Sequence, residues 1–120
     1  MKKRLLIVED SDFSRDLLVQ IFEQSYRLDL ARDGETAVQI ASTHRPDLIL
    51  MDIGLPRLTG IEAVRVIRTM APGLPIIAVS SHVMPGDRER AFAAGCNGFV
   101  AKPIDDLLLA DMVGSLLEAR

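Results

Sequence analysis

Short apolar runs alternate with helix-like patterns five times along this chain of 120 residues. Runs at 5–8, 48–51 and 76–79 are continuously apolar, which is typical of central parallel strands that are covered on both faces. The run at 28–31 alternates and the run at 98–101 is short, so we expect these two strands at the sheet edges. Because right-handed crossovers are strongly favoured, the pattern predicts an α/β fold. We expect a (βα)5 doubly wound, flavodoxin-like parallel sheet with strand order 2-1-3-4-5.

Apolar residues at helical spacing predict one helix after each strand. Ser11 or Asp12, Thr59 and the acidic pair Asp105-Asp106 are the expected start signals of the first, third and fifth helices. The predicted apolar stripes are Phe13, Leu17, Leu18, Ile21 and Phe22; Ala37, Ile40 and Ala41; Ile61, Val64 and Ile67; Ala91 and Phe92; and Leu108, Met112 and Leu116 with their neighbours.

Composition narrows the class of protein. A length of 120 residues suits one domain, so we expect residues 1–120 to form a single unit with no output domain. The net charge of −3 and the absence of a basic stripe argue against nucleic-acid binding. No apolar run is long enough to span a membrane, and the single Cys96 cannot form an internal disulfide. A cytoplasmic protein, in which Cys96 is a packing residue, is the expectation.

Residues with reactive side chains stand at the predicted carboxyl ends of four strands: Glu9, Asp10, Asp52, Ser80 and Lys102. Ligands of open parallel sheets bind at this edge, so we expect the five side chains to converge. Three carboxylates suit a hard divalent cation, Mg²⁺ or Mn²⁺ in its place. A carboxylate can also attack phosphorus, while a hydroxyl and an ammonium stabilise phosphoryl oxygens.

Each of these residues has an ordinary interpretation when it is considered alone. An aspartate after a strand is usually a turn former or helix cap, a serine often bonds the local backbone, and a lysine is usually exposed. The functional interpretation is favoured instead because all four strand ends carry residues of the same chemical set.

The chain resembles the receiver domains of two-component response regulators over essentially its whole length. The similarity is greatest to stand-alone, single-domain regulators and extends to the receivers of hybrid kinases. The matching motifs are Leu-Ile-Val-Glu-Asp at 6–10, Pro-Asp-Leu-Ile-Leu-Met-Asp at 46–52, Leu55-Pro56 with Thr59-Gly60, Pro-Ile-Ile-Ala-Val-Ser at 75–80, and Ala-Lys-Pro at 101–103.

This resemblance implies a role for each acidic residue. Asp52 would accept a phosphoryl group from a histidine kinase or a histidine phosphotransfer protein. Asp10 would bind Mg²⁺ directly, Glu9 largely through water, and the backbone carbonyl of Gly54 would be a further ligand. Lys102 would precede a cis proline.

The resemblance also implies a switch. Ser80 and Lys102 would bind the phosphoryl oxygens, and Ser80 would move together with Phe99 on the fifth strand. This movement would alter the surface formed by helix 4, strand 5 and helix 5, to which a downstream protein binds. The chain would act as a monomer or as a phosphorylation-dependent dimer.

Three positions depart from the usual receiver pattern. Phe99 replaces the commoner tyrosine, Ser81 replaces a small alanine, and Gly54 offers no side chain over Asp52. His82 could shield the phosphorylation site in place of the absent side chain. We hypothesise that Gly54 and His82 set the lifetime of the phosphorylated state.

Other functions remain open at the level of sequence. A phosphatase of the haloacid dehalogenase type also uses an aspartyl nucleophile, but it needs a second acid two residues later, where this chain has Gly54. A receiver that no longer accepts phosphate, or a fragment of a longer regulator, is also compatible. We expect kinase specificity to lie on helix 1, including Phe13, Ser14 and Leu17, and on the residues after Pro103. The arginines of the third and fourth helices, Arg65, Arg68, Arg88 and Arg90, are expected to be exposed.

Overall fold

The computed structural model describes residues 2–54, 59–80 and 85–119. In these residues strands and helices alternate, as the sequence predicts. The elements are β1 (Arg4–Val8), α1 (Asp12–Phe22), β2 (Arg27–Ala31), α2 (Gly34–His44), β3 (Leu48–Asp52), α3 (Gly60–Met70), β4 (Ile76–Ser80), α4 (Asp87–Ala94), β5 (Gly98–Ala101) and α5 (Asp106–Glu118).

The five strands form one parallel sheet in the order β2-β1-β3-β4-β5, which confirms the predicted topology. The two strands expected at the edges, β2 and β5, are there. Asp52 and Ser80 are the last residues of β3 and β4, one position inside the strands rather than after them. Their side chains therefore lie at the carboxyl edge of the sheet, on backbone that the ladder holds in place.

The sheet separates two hydrophobic clusters. Alternate residues of β1 show this division, since Leu6 and Val8 face α2, α3 and α4, whereas Leu5 and Ile7 face α1 and α5. This arrangement explains why the runs at 5–8, 48–51 and 76–79 in the central strands are apolar at every position. No helix in the described part of the chain is long and apolar enough to cross a membrane.

Most helices begin where the sequence predicts. Ser11, Asp33, Thr59 and Asp105 each accept a hydrogen bond from a backbone N–H of the following turn. Thr59 also forms a reciprocal capping box with Glu62. Helix α4 differs, because its N-cap is a glycine with φ of 88° and has no side-chain cap.

Three apolar stripes differ from the prediction, one of them in α4, where Ala91 is buried but Phe92 is 39% exposed. In α1, Leu18 and Phe22 are buried, but Phe13 is 75% exposed and Leu17 is 42% exposed. In α5, Leu109 and two residues at helical spacing from it are buried, whereas Leu108 is 54% exposed. Met112 and Leu116 are partly buried, and the neighbours of the named residues form the centre of the α5 stripe. Three consecutive leucines at 107–109 leave the phase of the helix undetermined.

The interpretation of Arg68 as an exposed charge is wrong. Its guanidinium donates hydrogen bonds to several backbone carbonyls and to the side chain of Asn97. The carbonyl acceptors lie at the end of α3 and after α4: Ala71, Pro72, Leu74 and Gly95. Arg68 thus ties together three segments at the edge of the sheet opposite the acidic residues.

Candidate functional site

Three carboxylates meet at the carboxyl ends of β1 and β3. Glu9 and Asp10 follow β1, Asp52 ends β3, and one oxygen from each lies within 4.8 Å of the others. Glu9 is 1% exposed and Asp52 is 4% exposed, whereas Asp10 is open to solvent. The cluster occupies the position between adjacent strands 1 and 3 at which the sheet reverses its winding.

Lys102 balances part of this negative charge. Its Nζ donates to Oε1 of Glu9 at 2.5 Å. Burial of the Glu9 carboxyl and its hydrogen bond with Asp52 nevertheless raise its pKa to about 7, although Lys102 acts in the opposite direction. Because burial is the largest cause of this shift, a cation close to Glu9 would favour its ionised form.

Asp52 is fixed by its own backbone surroundings. Its Oδ1 accepts a hydrogen bond from the N–H of Gly54 at 2.9 Å, and the next residue, Ile53, donates its N–H to the carbonyl of Val79 at 3.1 Å. The loop after β3 is therefore joined to β4. A carboxylate held in this way has one oxygen already directed by the backbone.

Gly60 is a site residue whose importance the sequence did not reveal. A Cβ atom at this position would lie 2.2 Å from the carbonyl oxygen of Asp52 and 2.5 Å from the Cα of Ile53. The first turn of α3 therefore packs directly on the backbone of the proposed phosphoacceptor. The available signal was the Thr59-Gly60 pair, in which a good N-cap is followed by a residue that weakens a helix.

Ser80 and Lys102 reach the same edge from β4 and β5. Ser80 is 4% exposed, and its carbonyl accepts a hydrogen bond from the N–H of Lys102 at 2.8 Å. The peptide bond between Lys102 and Pro103 is cis, as expected. The fold thus brings the five predicted site residues to one edge of the sheet.

The donor set fits Mg²⁺. Glu9, Asp10 and Asp52 offer only oxygen, which is the preferred ligand atom of a small hard cation. Burial and the hydrogen bond with Asp52 raise the pKa of Glu9, so its ionised form would gain from a cation bound beside it. Gly54 is exposed beside Asp52, so its backbone is near the same cluster.

The surface beside Lys102 is apolar. A cavity of about 220 Å³ lies between α1 and the segment after β5. The residues that line it are Phe13, Ser14, Leu17, Ile21, Lys102, Pro103, Ile104 and Asp106. This lining includes Phe13, Ser14 and Leu17 and two residues after Pro103, where the sequence predicts kinase specificity.

Phe99 lies on β5, opposite Ala78 of β4. Its ring is partly buried and packs on the hydrophobic cluster that contains Ala91 and Ala94 of α4. Four residues to which the sequence analysis gave a part in the motifs or the site lie outside the described residues: Leu55, Pro56, Ser81 and His82.

Comparison with known proteins agrees with this geometry. Residues 5–114 match the response regulator receiver domain family. The chain is 39% identical over 107 residues to the polar-differentiation response regulator DivK of Brucella anthropi, and the alignment covers 87% of each protein.

Two solved structures have the same fold. The receiver domain of the sensor histidine kinase PA1611 from Pseudomonas aeruginosa, with a magnesium ion coordinated in its active-site cleft, is 34% identical with a TM-score of 0.91. That comparison covers 98% of this chain and 99% of the other. A CheY-like receiver from Methanospirillum hungatei is 25% identical with a TM-score of 0.94, over 99% and 96% of the two chains.

Proposed function

This chain belongs to the response regulator receiver domain family, and we propose that Asp52 accepts its phosphoryl group. Receivers of this family are phosphorylation-dependent switches of two-component systems and not classical enzymes. The observation that carries the assignment is the position of Asp52, which is 4% exposed, ends β3 and shares a cluster with Glu9 and Asp10. The proposed donor is the phosphohistidine of a histidine kinase or a histidine phosphotransfer protein.

Transfer to Asp52 is a displacement at phosphorus. The Asp52 oxygen that forms the new P–O bond supplies its electron pair as the P–N bond to the donor imidazole breaks, and the imidazole leaves with that pair. The product is an aspartyl phosphate. Because Oδ1 already accepts the Gly54 N–H, we assign the attack to the other oxygen, Oδ2.

Glu9, Asp10, Asp52 and the backbone carbonyl of Gly54 are the proposed Mg²⁺ ligands, with Glu9 acting largely through water. When bound, Mg²⁺ would supply positive charge to a phosphoryl oxygen. The chemistry of these residues supports this assignment. All three side chains are carboxylates, which bind a hard cation through oxygen, and the Glu9 carboxyl is difficult to ionise without a nearby cation.

Lys102 and Ser80 are assigned to the remaining phosphoryl oxygens. Lys102 brings an ammonium that already lies in the acidic cluster, and Ser80 brings a buried hydroxyl from the adjacent strand. Charge on the equatorial oxygens is the main quantity that a protein must stabilise during phosphoryl transfer. Each of these side chains can serve one oxygen.

The proposed output is a change in the surface formed by α4, β5 and α5. Ser80 lies opposite Ala101 on β5, two residues after Phe99. Phe99 packs on the cluster that contains Ala91 and Ala94, which are the buried residues of α4. Since α4 is held by two small side chains and has no side-chain N-cap, a movement of Ser80 and Phe99 can shift it at low cost. A downstream protein would recognise the shifted surface.

The apolar cavity beside Lys102 is the proposed docking site for the phosphodonor protein. Phe13 is 75% exposed and Leu17 is 42% exposed on the wall formed by α1. Large exposed apolar side chains next to a reaction centre are typical of interaction surfaces. We also propose a cytoplasmic location, which the single reduced thiol of Cys96 fits.

Intact-mass analysis tests the assignment. The chain is incubated with acetyl phosphate and Mg²⁺, and Asp52→Asn and EDTA serve as controls. We expect one phosphoryl adduct that requires Mg²⁺ and is lost in Asp52→Asn. An equal adduct on Asp52→Asn would refute the assignment. The rate at which the adduct is lost is then compared with the rates in Gly54→Asn and His82→Ala. A changed rate in these variants would support the hypothesis that the two positions set the lifetime of the phosphorylated state.

A further inference from the structure

Lys102 has a second polar partner that neither the sequence nor the family match assigns. Its Nζ donates to Oγ of Ser14, which lies 88 residues away in the chain on α1, at 3.3 Å. The Lys102 side chain is only 16% exposed, and Ser14 is half-buried. The contact therefore joins the first helix to the cation of the site in a region largely shielded from water.

An ammonium has three N–H donors, and this geometry accounts for two of them. Glu9 Oε1 accepts one and Ser14 Oγ accepts another. Within the part of the chain that the structure describes, no further side chain accepts from Nζ. These two acceptors fix the orientation of the ammonium group. Its third N–H therefore has a defined direction and can donate to a bound phosphoryl group.

We propose that Ser14 is a positioning residue for Lys102, holding its ammonium so that one N–H remains available to the phosphoryl group on Asp52. The inference rests on the proposed role of Lys102. A neutral hydroxyl suits this task, because it orients the ammonium without cancelling its charge. With Glu9 as its only acceptor, the ammonium could still rotate about that one hydrogen bond, so its other N–H groups would have no fixed direction.

Ser14 itself is held firmly enough to act in this way. Its backbone N–H donates to the hydroxyl of Ser11, the N-cap of α1, at 3.3 Å. The side chain thus projects from the capped first turn of a helix, and Ser14→Ala leaves this capping bond intact. The variant removes the hydroxyl and little else.

The test is the rate of phosphorylation by acetyl phosphate at saturating Mg²⁺, followed by intact mass. Ser14→Ala is expected to be slower by roughly three- to tenfold, the effect of losing one hydrogen bond of ordinary net strength. Ser14→Thr, which keeps the hydroxyl, is expected to restore most of the rate. Gln20→Ala, at an exposed position of the same helix, is the matched control and should react like the unmodified chain.

A double-mutant cycle separates positioning from a general structural effect. In a Lys102→Arg background, Ser14→Ala should change the rate by less than about twofold, because the group that it positions is gone. The proposal is overturned if Ser14→Ala reacts at the unmodified rate, if Ser14→Thr is as slow as Ser14→Ala, or if the same loss persists in Lys102→Arg. Failure of the unmodified chain to form any adduct would instead count against the proposed function.

Discussion

Gly60, the first residue of α3, packs on the backbone of Asp52 so closely that a Cβ atom would lie 2.2 Å from the Asp52 carbonyl oxygen. The start of this helix therefore packs directly on the backbone of the proposed phosphoacceptor. The contact is between backbone groups, so no side-chain rearrangement can make room for a larger residue.

Gly60→Ala should destabilise the protein by at least about 2–3 kcal/mol, because an overpacked backbone contact must be relieved by moving α3 or β3. Urea unfolding followed by circular dichroism measures this loss. Gly73→Ala is the control, since no atom lies within 4 Å of a Cβ there and its φ is not in the left-handed region. Equal stability of the two variants would show that α3 can retreat from Asp52 without cost.

The raised pKa of Glu9 makes the metal-free protein sensitive to pH. The folded carboxyl has a pKa of about 7 against an ordinary value of 4.5, so the folded state binds a proton more tightly than the unfolded state does. The stability that this proton provides is complete below pH 4.5 and is lost as pH rises through 7. We expect the free energy of unfolding in EDTA to fall across this interval.

Glu9→Gln should reduce that pH dependence, because the amide cannot ionise at any of these pH values. Mg²⁺ should stabilise the unmodified chain more at about pH 8 than at about pH 5.5, because cation binding must displace the Glu9 proton at low pH. Thermal unfolding with and without Mg²⁺ at both pH values provides the measurement. A stabilisation by Mg²⁺ that is independent of pH would contradict the assigned role of Glu9.

Arg68 should be essential for stability even though it lies far from the acidic cluster. Its guanidinium donates to carbonyls at the end of α3 and to Gly95 after α4, and a lysine cannot reproduce this fork. Arg68→Lys is expected to cost at least about 2 kcal/mol in urea unfolding. Arg65→Lys, at an exposed position of the same helix, should change stability by less than about 0.5 kcal/mol. Similar values for the two variants would contradict this account of Arg68.

Substitution of Gly114 should raise the stability of the protein rather than lower it. It lies in the interior of α5, and nothing is within 4 Å of a Cβ placed there. Gly114→Ala should therefore stabilise the protein by roughly 0.5–1 kcal/mol through the lower entropy of the unfolded chain and the higher helix propensity of alanine. A destabilised variant in the same unfolding assay would mean that α5 needs a glycine for a reason that its packing does not show.

The fold and the convergence of the candidate site residues could be predicted because their signals are local or periodic. Continuous apolar runs identified the central strands, and Asp52 and Lys102 stood out as the residues that directly follow the runs at 48–51 and 98–101. The sequence could not give the phase of α5, since Leu107, Leu108 and Leu109 satisfy the helical pattern in more than one register. The structure buries only Leu109 of these three.

Contacts between distant segments left no such signal. Arg68 resembles any helix-surface arginine until its carbonyl partners are known, and those partners come from loops up to 27 residues away. Ser14 and Lys102 are 88 residues apart, and a serine in a first helical turn is usually explained by capping alone. The packing of Gly60 on the Asp52 backbone could not be predicted, because the sequence does not show how closely α3 approaches β3.

The most direct test of the central claim is to locate the modified residue. The chain is phosphorylated with acetyl phosphate and Mg²⁺, reduced with borohydride, which converts an aspartyl phosphate into homoserine, and then sequenced by tandem mass spectrometry. The account predicts homoserine at position 52 and unchanged aspartates at positions 10 and 12. Homoserine at another position, with Asp52 intact, would contradict the assignment of Asp52 as the phosphoacceptor.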